Sequence, residues 1–192
     1  MKKNFLILLT MSFLIPISAQ NSEPVTSELV LLNVQNGKEK VILREERHFE
    51  APNWSRDGHY LIINAGGLLE KVSVNGDKKG VINTGFADNC NNDHGLSFDG
   101  RWLVVSHNDP RVSSSGGNSR IFILPAVGGV PRLVTSNCPS YWHGISPDNE
   151  WVVYCAMRNG EWDVWKAHTI RDEEVRLTDA AGLDDGPEYS YD

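Results

Sequence analysis

A short motif that returns at nearly even intervals constrains the fold of this chain more than any other feature. The motif is Ser-x-Asp followed by Gly or Asn, and complete copies start at Ser55, Ser97 and Ser146. A fourth copy starts at Ser190 and reaches Asp192. The serines lie 42 to 49 residues apart. A period of about 40 to 50 residues, with strand-like sequence in between, is typical of the blades of a β-propeller.

The sequence between the motifs predicts further strands in each repeat. Directly after each motif comes an apolar run rich in β-branched and aromatic residues, as in a strand that is covered on both faces. These runs are 60–63, 102–105 and 151–154. A second strand, a turn and a third strand then follow, and the segment that leads into the motif supplies the innermost strand. We therefore predict an all-β fold, a β-propeller of four-stranded antiparallel blades.

The two ends of the chain predict parts of blades rather than whole ones. Residues 29–43 have the pattern of two strands joined by a turn, which is the back half of a blade. The motif at Ser190 has the pattern of the front of another blade. The interpretation is an incomplete propeller, with about three whole blades and a partial blade at each end, from a longer gene product that continues beyond Asp192.

The first 19 residues predict a secretory signal peptide. Lys2 and Lys3 form a basic start, residues 5–17 are almost entirely apolar, and residues 18–19 supply the small side chains of a cleavage site. The apolar run is too short to span a bilayer comfortably, and no later stretch is long enough. We therefore expect a periplasmic or secreted protein whose propeller domain runs from residue 20 to residue 192.

The charge balance disfavours nucleic acid as a partner. The chain holds 18 Lys and Arg residues against 25 Asp and Glu residues, a formal net charge of −7. An acidic surface is repelled by phosphate backbones and by anionic membranes. The predicted partners are therefore a periplasmic protein or a small ligand, for which a carbohydrate is one candidate.

Three cysteines allow one disulfide in an exported protein. Cys90 and Cys138 lie at nearly the same place in successive repeats, seven and eight residues before the motif serine. Neighbouring blades would bring these positions close, which predicts a Cys90–Cys138 bridge. Two free thiols near the blade ends are the alternative, since the sequence does not test the required Cα separation. Cys155 lies inside an apolar run and is expected to be a buried strand residue.

Two histidines break the repeat at one position. Three residues before the motif serine stand Pro52 and Pro187 in the first and fourth copies, but His94 and His143 in the second and third. We expect this position to face the central channel. The prediction is a ligand site at the channel mouth for a divalent metal, an anionic sugar or a peptide, with His94 and His143 as metal ligands. The alternative is that each imidazole hydrogen-bonds loop backbone and caps the channel.

Polar and aromatic residues near these histidines complete the predicted site. They are Asp93, Tyr141, Trp142 and Glu188. Trp142 is the best candidate for an exposed ring that stacks on a sugar, with burial as the alternative. Trp54, just before the first motif, is expected in the core. The motif Ser and Asp side chains are expected to hydrogen-bond local groups rather than to act in catalysis.

The repeats resemble those of the TolB family, whose WD40-like propeller blades are periplasmic. The resemblance is carried by Ser146-Pro147-Asp148, by the strand Trp162-Asp163-Val164-Trp165 and by the ending Arg176-Leu177-Thr178. Residues 185–190 look like the approach to another such blade, and the resemblance covers roughly residues 28 to 192. It implies an exported scaffold that binds a protein or a small ligand, with a role related to the cell envelope or to biopolymer transport.

Two enzymatic alternatives share related blades. Oligogalacturonate lyases use metal-bound histidines on a propeller, which His94 and His143 resemble, and prolyl-oligopeptidase-like peptidases carry a propeller domain. The sequence contains no Gly-x-Ser-x-Gly motif of a hydrolase, and no catalytic constellation is complete in it. The chain is therefore interpreted as a binding module rather than an enzyme, and a divalent metal is the one cofactor left open.

Overall fold

The computed structural model describes residues 25–191, which form three four-stranded antiparallel sheets and one two-stranded sheet. The predicted signal peptide, residues 1–19, lies outside the described residues, as does Asp192. Within the described range the regular elements are all strands, and no helix there could cross a membrane. The all-β prediction is confirmed.

Within each four-stranded sheet the strands lie side by side in chain order. The first strand forms the inner edge of the sheet and the fourth strand forms the outer edge. The two-stranded sheet pairs β1 (Ser27–Leu32) with β2 (Glu39–Glu45). Blade 1 contains β3 (Glu50–Trp54), β4 (Tyr60–Ala65), β5 (Leu68–Ser73) and β6 (Lys78–Val81). Blade 2 contains β7 (Cys90–Leu96), β8 (Trp102–Asn108), β9 (Ser119–Pro125) and β10 (Arg132–Leu133). Blade 3 contains β11 (Ser140–Ile145), β12 (Trp151–Arg158), β13 (Glu161–His168) and β14 (Glu174–Arg176). The described residues thus form an incomplete β-propeller, as predicted, with three whole blades.

The repeated motif makes the turn between the first and second strands of each blade. In blade 2 the Ser97 hydroxyl donates to Asp99 Oδ1 at 2.6 Å and accepts the Trp102 N–H at 3.0 Å. Asp99 also accepts the Arg101 N–H at 2.9 Å. Gly100 has a φ of +70°, a left-handed conformation that glycine adopts without steric penalty. Blades 1 and 3 repeat these contacts. The motif is therefore a structural turn.

Removing the motif hydroxyl should destabilise the fold. Ser97→Ala is expected to lower the free energy of unfolding by about 1 to 2 kcal/mol, because Ser97 is fully buried and both its hydrogen-bond partners are left without it. Chemical denaturation followed by circular dichroism measures the difference. Ser115→Ala, in the exposed loop between β8 and β9, is the control and should change stability by less than about 0.5 kcal/mol. Equal stabilities of the two variants would contradict this role.

Apolar side chains fill the interfaces between neighbouring sheets. β8 illustrates the arrangement, because alternate side chains of a strand face opposite neighbours. Leu103 and Val105 pack in the cluster between blades 1 and 2, whereas Val104 packs in the cluster between blades 2 and 3. A third cluster joins the β1–β2 sheet to blade 1. The second strand of each blade is thus buried on both faces, which explains its continuous apolar run.

The inner strands gather on one side of the three blades. β7 contacts β3 on one side and β11 on the other, so these strands follow one another around a common axis. The Arg56 guanidinium donates to the carbonyl oxygens of Leu96 and Ser97 at 2.7 and 2.8 Å. Asn53 Nδ2 donates to the His94 carbonyl oxygen at 2.8 Å. These hydrogen bonds hold blades 1 and 2 in register beside the axis, where the candidate site lies.

Candidate functional site

A cleft of about 380 Å³ opens between the inner strands, and we call it the axial cleft. In each of the four repeats, the residue two positions before the motif serine lines this cleft. These residues are Asn53, Gly95, Gly144 and Glu188. A Cβ added at Gly95 would lie 3.5 Å from Asn53 Oδ1. A Cβ added at Gly144 would lie 3.2 Å from Glu188 Oε2. Gly144 therefore leaves room for the Glu188 carboxylate of the next repeat, whereas the contact with Asn53 is of ordinary length.

The two predicted histidines lie in the wall of the axial cleft, but in different settings. His94 is 2% exposed, and its imidazole lies against the backbone of Ile62 and Asn92. Burial lowers the pKa of His94 to about 4, so its imidazole is neutral at physiological pH. His143 is partly exposed, and its Nε2 lies 2.8 Å from Asp185 Oδ1. Only His143 therefore offers an accessible imidazole.

Metal ligands do not converge at the axial cleft. Across the part of the chain that the structure describes, no three His, Cys, Asp or Glu side chains are placed to hold one ion. His94 is buried, and His143 is engaged by Asp185. The predicted pairing of His94 and His143 on a divalent metal does not fit this geometry, and no chemistry through a metal is derived.

Two carboxylates, those of Asp93 and Glu188, line the axial cleft together with the Arg56 guanidinium. Burial is the main reason why the pKa of Asp93 is raised to about 6. The carboxylates of Asp185 and Glu50 add to this shift, and His143 opposes it. Burial likewise raises the pKa of Glu188. Asp93, His143 and Glu188, all named as site residues from the sequence, are brought to one cleft.

The aromatic residues are arranged differently from the sequence-based expectation. Trp142 is only 8% exposed, and its ring covers Gly95, where an added Cβ would lie 2.4 Å from the indole Cη2. Trp54, expected in the core, is 50% exposed and lines the axial cleft. Tyr141 lies outside this cleft, beside Trp162, with the ring centroids 5.8 Å apart. The position before the motif serine is apolar or aromatic in every repeat, so the sequence carried no sign that Trp54 is exposed.

The predicted disulfide is not formed, because Cys90, Cys138 and Cys155 are all free thiols. Cys90 is buried in the cluster between blades 1 and 2, where its thiol donates to the Ala87 carbonyl oxygen at 3.3 Å. Cys138 lies in the loop before β11, beside residues 113–115 of the β8–β9 loop. The two side chains thus occupy different surroundings although their sequence offsets match. Cys155 is buried in β12, as predicted.

Sequence analysis missed Asp185 and Trp162 as site residues. Both line a groove beside the axial cleft, together with Tyr141 and Asp93. One signal was available for Asp185, because the position five before the motif serine is polar in every repeat. Its occupants are Glu50, Asn92, Tyr141 and Asp185. Trp162 had no such signal, since it belongs to an outer strand and reaches the groove only through the packing of blade 3.

Comparison with known proteins identifies several similar chains. No family model matches the sequence. An uncharacterized protein of Agrobacterium fabrum is 43% identical over 167 residues, which cover 86% of this chain and 55% of that protein. A solved structure from Agrobacterium tumefaciens described as a TolB is 42% identical, with a TM-score of 0.77, over 86% of this chain and 58% of its own. The chain therefore spans just over half the length of both relatives.

A more distant structure shares the fold. TolB of Acinetobacter baumannii matches with a TM-score of 0.67 at 14% identity, over 85% of this chain and 40% of its own. At that identity the likeness concerns the architecture alone. The feature shared with this structure is therefore the propeller fold.

Proposed function

We propose that this β-propeller, which is similar to solved TolB structures, is an exported binding scaffold whose axial cleft holds a segment of a partner protein. The observation that carries this proposal is the exposed indole of Trp54 beside a polar cleft. Exposed tryptophans are enriched in the central contacts of protein interfaces, where they bury a large area. Asn53 and Glu188 offer hydrogen-bonding groups along the same cleft.

The rigid setting of the axial cleft supports a binding role. Its central wall is β7, which is flanked by the inner strands β3 and β11. A preformed cleft binds without losing conformational freedom of its own, which favours affinity. Gly95 and Gly144 let neighbouring side chains pack directly on the inner strands: the Trp142 ring covers Gly95, and Val153 lies against Gly144.

We further propose a periplasmic location. It is supported by the basic and apolar residues at 1–19, which have the layout of a signal peptide. Fusion of residues 1–30 to a β-lactamase that lacks its own signal is the direct test. Resistance of the host bacterium to ampicillin is the expected result, and sensitivity equal to that of the unfused enzyme would contradict it.

Site-specific photocrosslinking tests the binding role. A benzophenone-bearing amino acid placed at position 54 should give a discrete protein adduct when cells are irradiated, at a yield at least about fivefold above that of the control. The control is the same amino acid at position 127, because Val127 is 86% exposed in the turn after β9 and lies away from the cleft. Glu188→Arg reverses an exposed charge in the cleft, so it should lower the yield of the adduct that forms from position 54.

The outcome that contradicts the proposal is equal adduct formation from positions 54 and 127, or none from either. The lyase alternative is not carried forward, because the metal ligands that it needs are not assembled within residues 25–191. Nothing in that range favours the peptidase-domain alternative.

A further inference from the structure

A second groove, of about 430 Å³, opens beside the axial cleft. Its walls combine the aromatic residues Tyr141 and Trp162 with the carboxylates of Asp93 and Asp185, and we call it the aromatic–acidic groove. Asp93 and His143 border both spaces, so the two are adjacent. A ligand that lies in the axial cleft is therefore close to the groove.

The aromatic wall is held in place by backbone contacts. The Tyr141 and Trp162 rings are inclined by 33° with centroids 5.8 Å apart, and both side chains are partly exposed. Trp162 forms an isolated parallel bridge with Leu183, and its carbonyl oxygen accepts the Asp184 N–H at 3.1 Å. The segment that carries Asp185 is thus anchored to the strand that carries Trp162. The groove keeps its shape without a ligand.

Two carboxylates give the groove its acidic character. Asp93 and Asp185 come from different elements of the fold, and His143 Nε2 contacts only the second of them. Among the described residues that line the groove there is no lysine or arginine. The raised pKa of Asp93, caused by burial and by the carboxylates of Asp185 and Glu50, is consistent with a carboxylate that lacks a cationic partner.

We propose that the aromatic–acidic groove binds an organic cation, an alkylammonium or guanidinium group, between the aromatic rings and the two carboxylates. Aromatic faces attract such cations through their quadrupole, and carboxylates neutralise the charge. An inorganic divalent cation is a poorer fit, because it requires six or more oxygen ligands and the groove offers two carboxylates beside apolar rings. The source that we favour is a lysine or arginine side chain of the bound segment, and this part rests on the proposed function.

Fluorine NMR on protein labelled with 5-fluorotryptophan provides the readout. The Trp162 resonance is assigned by its disappearance in Trp162→Phe. Titration with n-butylammonium chloride should shift this resonance saturably, and so should acetyl-Ala-Lys-Ala-amide. The neutral peptide acetyl-Ala-norleucine-Ala-amide, which has nearly the same apolar stem, should produce no saturable shift.

Charge-neutral variants identify the groups that hold the cation. Asp93→Asn and Asp185→Asn should each weaken n-butylammonium binding by about tenfold, as expected for the loss of a close charge pair. Asp172→Asn removes an exposed carboxylate in the turn before β14 and should leave binding unchanged. Asp93→Asn should fold at least as well as the parent protein at pH 7.5, because it removes a carboxylate whose ionisation is disfavoured in the folded state.

Binding should also weaken in acid. Protonation of Asp93, with a pKa of about 6, removes one of the two charges, so n-butylammonium affinity should fall about tenfold from pH 7.5 to pH 5. The titratable groups that face Asp93 are His143, Asp185, Glu50, Tyr141 and Cys155. The share of the pH dependence that is due to Asp93 is the part that Asp93→Asn removes.

The outcomes separate this inference from the proposed function. Binding of n-butylammonium without a crosslink from position 54 supports the groove and contradicts the segment-binding role. Binding of n-butylammonium but not of the lysine peptide supports the groove with a free amine as its ligand. Equal shifts with the norleucine peptide, or no shift with either cation, would overturn the inference.

Discussion

Gly76→Ala should destabilise the protein by more than about 3 kcal/mol, the largest effect that we expect from a single methyl group. Gly76 lies in the turn between β5 and β6 with a φ of +92°. A Cβ added there would lie 1.9 Å from the Ile42 carbonyl oxygen of β2 and 3.0 Å from its carbonyl carbon. Backbone atoms cannot move aside as a flexible side chain can. The β1–β2 sheet would therefore have to separate from blade 1.

Gly58→Ala is the matched control for this prediction. Gly58 also has a positive φ, +73°, but an added Cβ there would meet no heavy atom within 4 Å. Backbone strain alone should then lower the free energy of unfolding by about 1 kcal/mol. Urea denaturation of the parent and both variants measures the difference. If the two variants lose the same stability, the close approach of Gly76 to β2 is not what holds the β1–β2 sheet.

Asp109→Ala is expected to lower the free energy of unfolding by about 3 kcal/mol. Asp109 follows β8 and is fully buried. Its carboxylate pairs with Arg111 at 2.7 Å and with Arg120. The Arg120 side chain is 11% exposed, so the variant leaves a largely buried guanidinium without its counter-charge. Thermal and urea unfolding at pH 7 measure the loss.

The effect of Asp109→Ala should depend on pH. Hydrogen bonds from Arg111 and then Arg120 hold the pKa of Asp109 well below its ordinary value of 3.8. A lowered pKa in the folded state gives stability that is present above pH 3.8 and is lost as the pH falls toward the folded-state value. The difference between variant and parent should therefore shrink below pH 3.8 and stay constant between pH 5 and 8.

An exposed ion pair provides the control for Asp109. The Arg171 and Glu173 side chains are 60% and 45% exposed and lie 3.2 Å apart. Glu173→Ala should change the free energy of unfolding by less than about 1 kcal/mol, because water screens this pair. A loss in Asp109→Ala no larger than that in Glu173→Ala would show that burial of the Asp109 cluster contributes little.

The blade architecture could be predicted from local features of the sequence. The motif at Ser97 closes its own turn with hydrogen bonds to residues two and five positions away. The apolar run that begins at Trp102 follows from burial on both faces of β8. These are short-range or strictly periodic signals, and they identified the three whole blades and the β1–β2 hairpin.

The site could be predicted only in part. His143, Asp93 and Glu188 do line the axial cleft together, but His94 is buried, with 2% of its surface exposed. From the sequence, we predicted that the residue three positions before the motif serine faces the central channel. The residue two positions before it, such as Asn53, also lies around the axial cleft. A shift of one residue exchanges the faces of a strand, and the sequence alone does not settle that register.

The sequence by itself determined the repeat, the motif turns and the strands that each blade contains, because hydrogen bonds within a turn and alternation along a strand depend on residues close together in the chain. Only the tertiary structure decided that Trp54 is exposed while Trp142 is buried, and that Asp185 reaches His143. Those outcomes depend on how one blade packs on the next. They join residues about 40 positions apart, whose relative placement is set by the interfaces between blades and not by any local pattern.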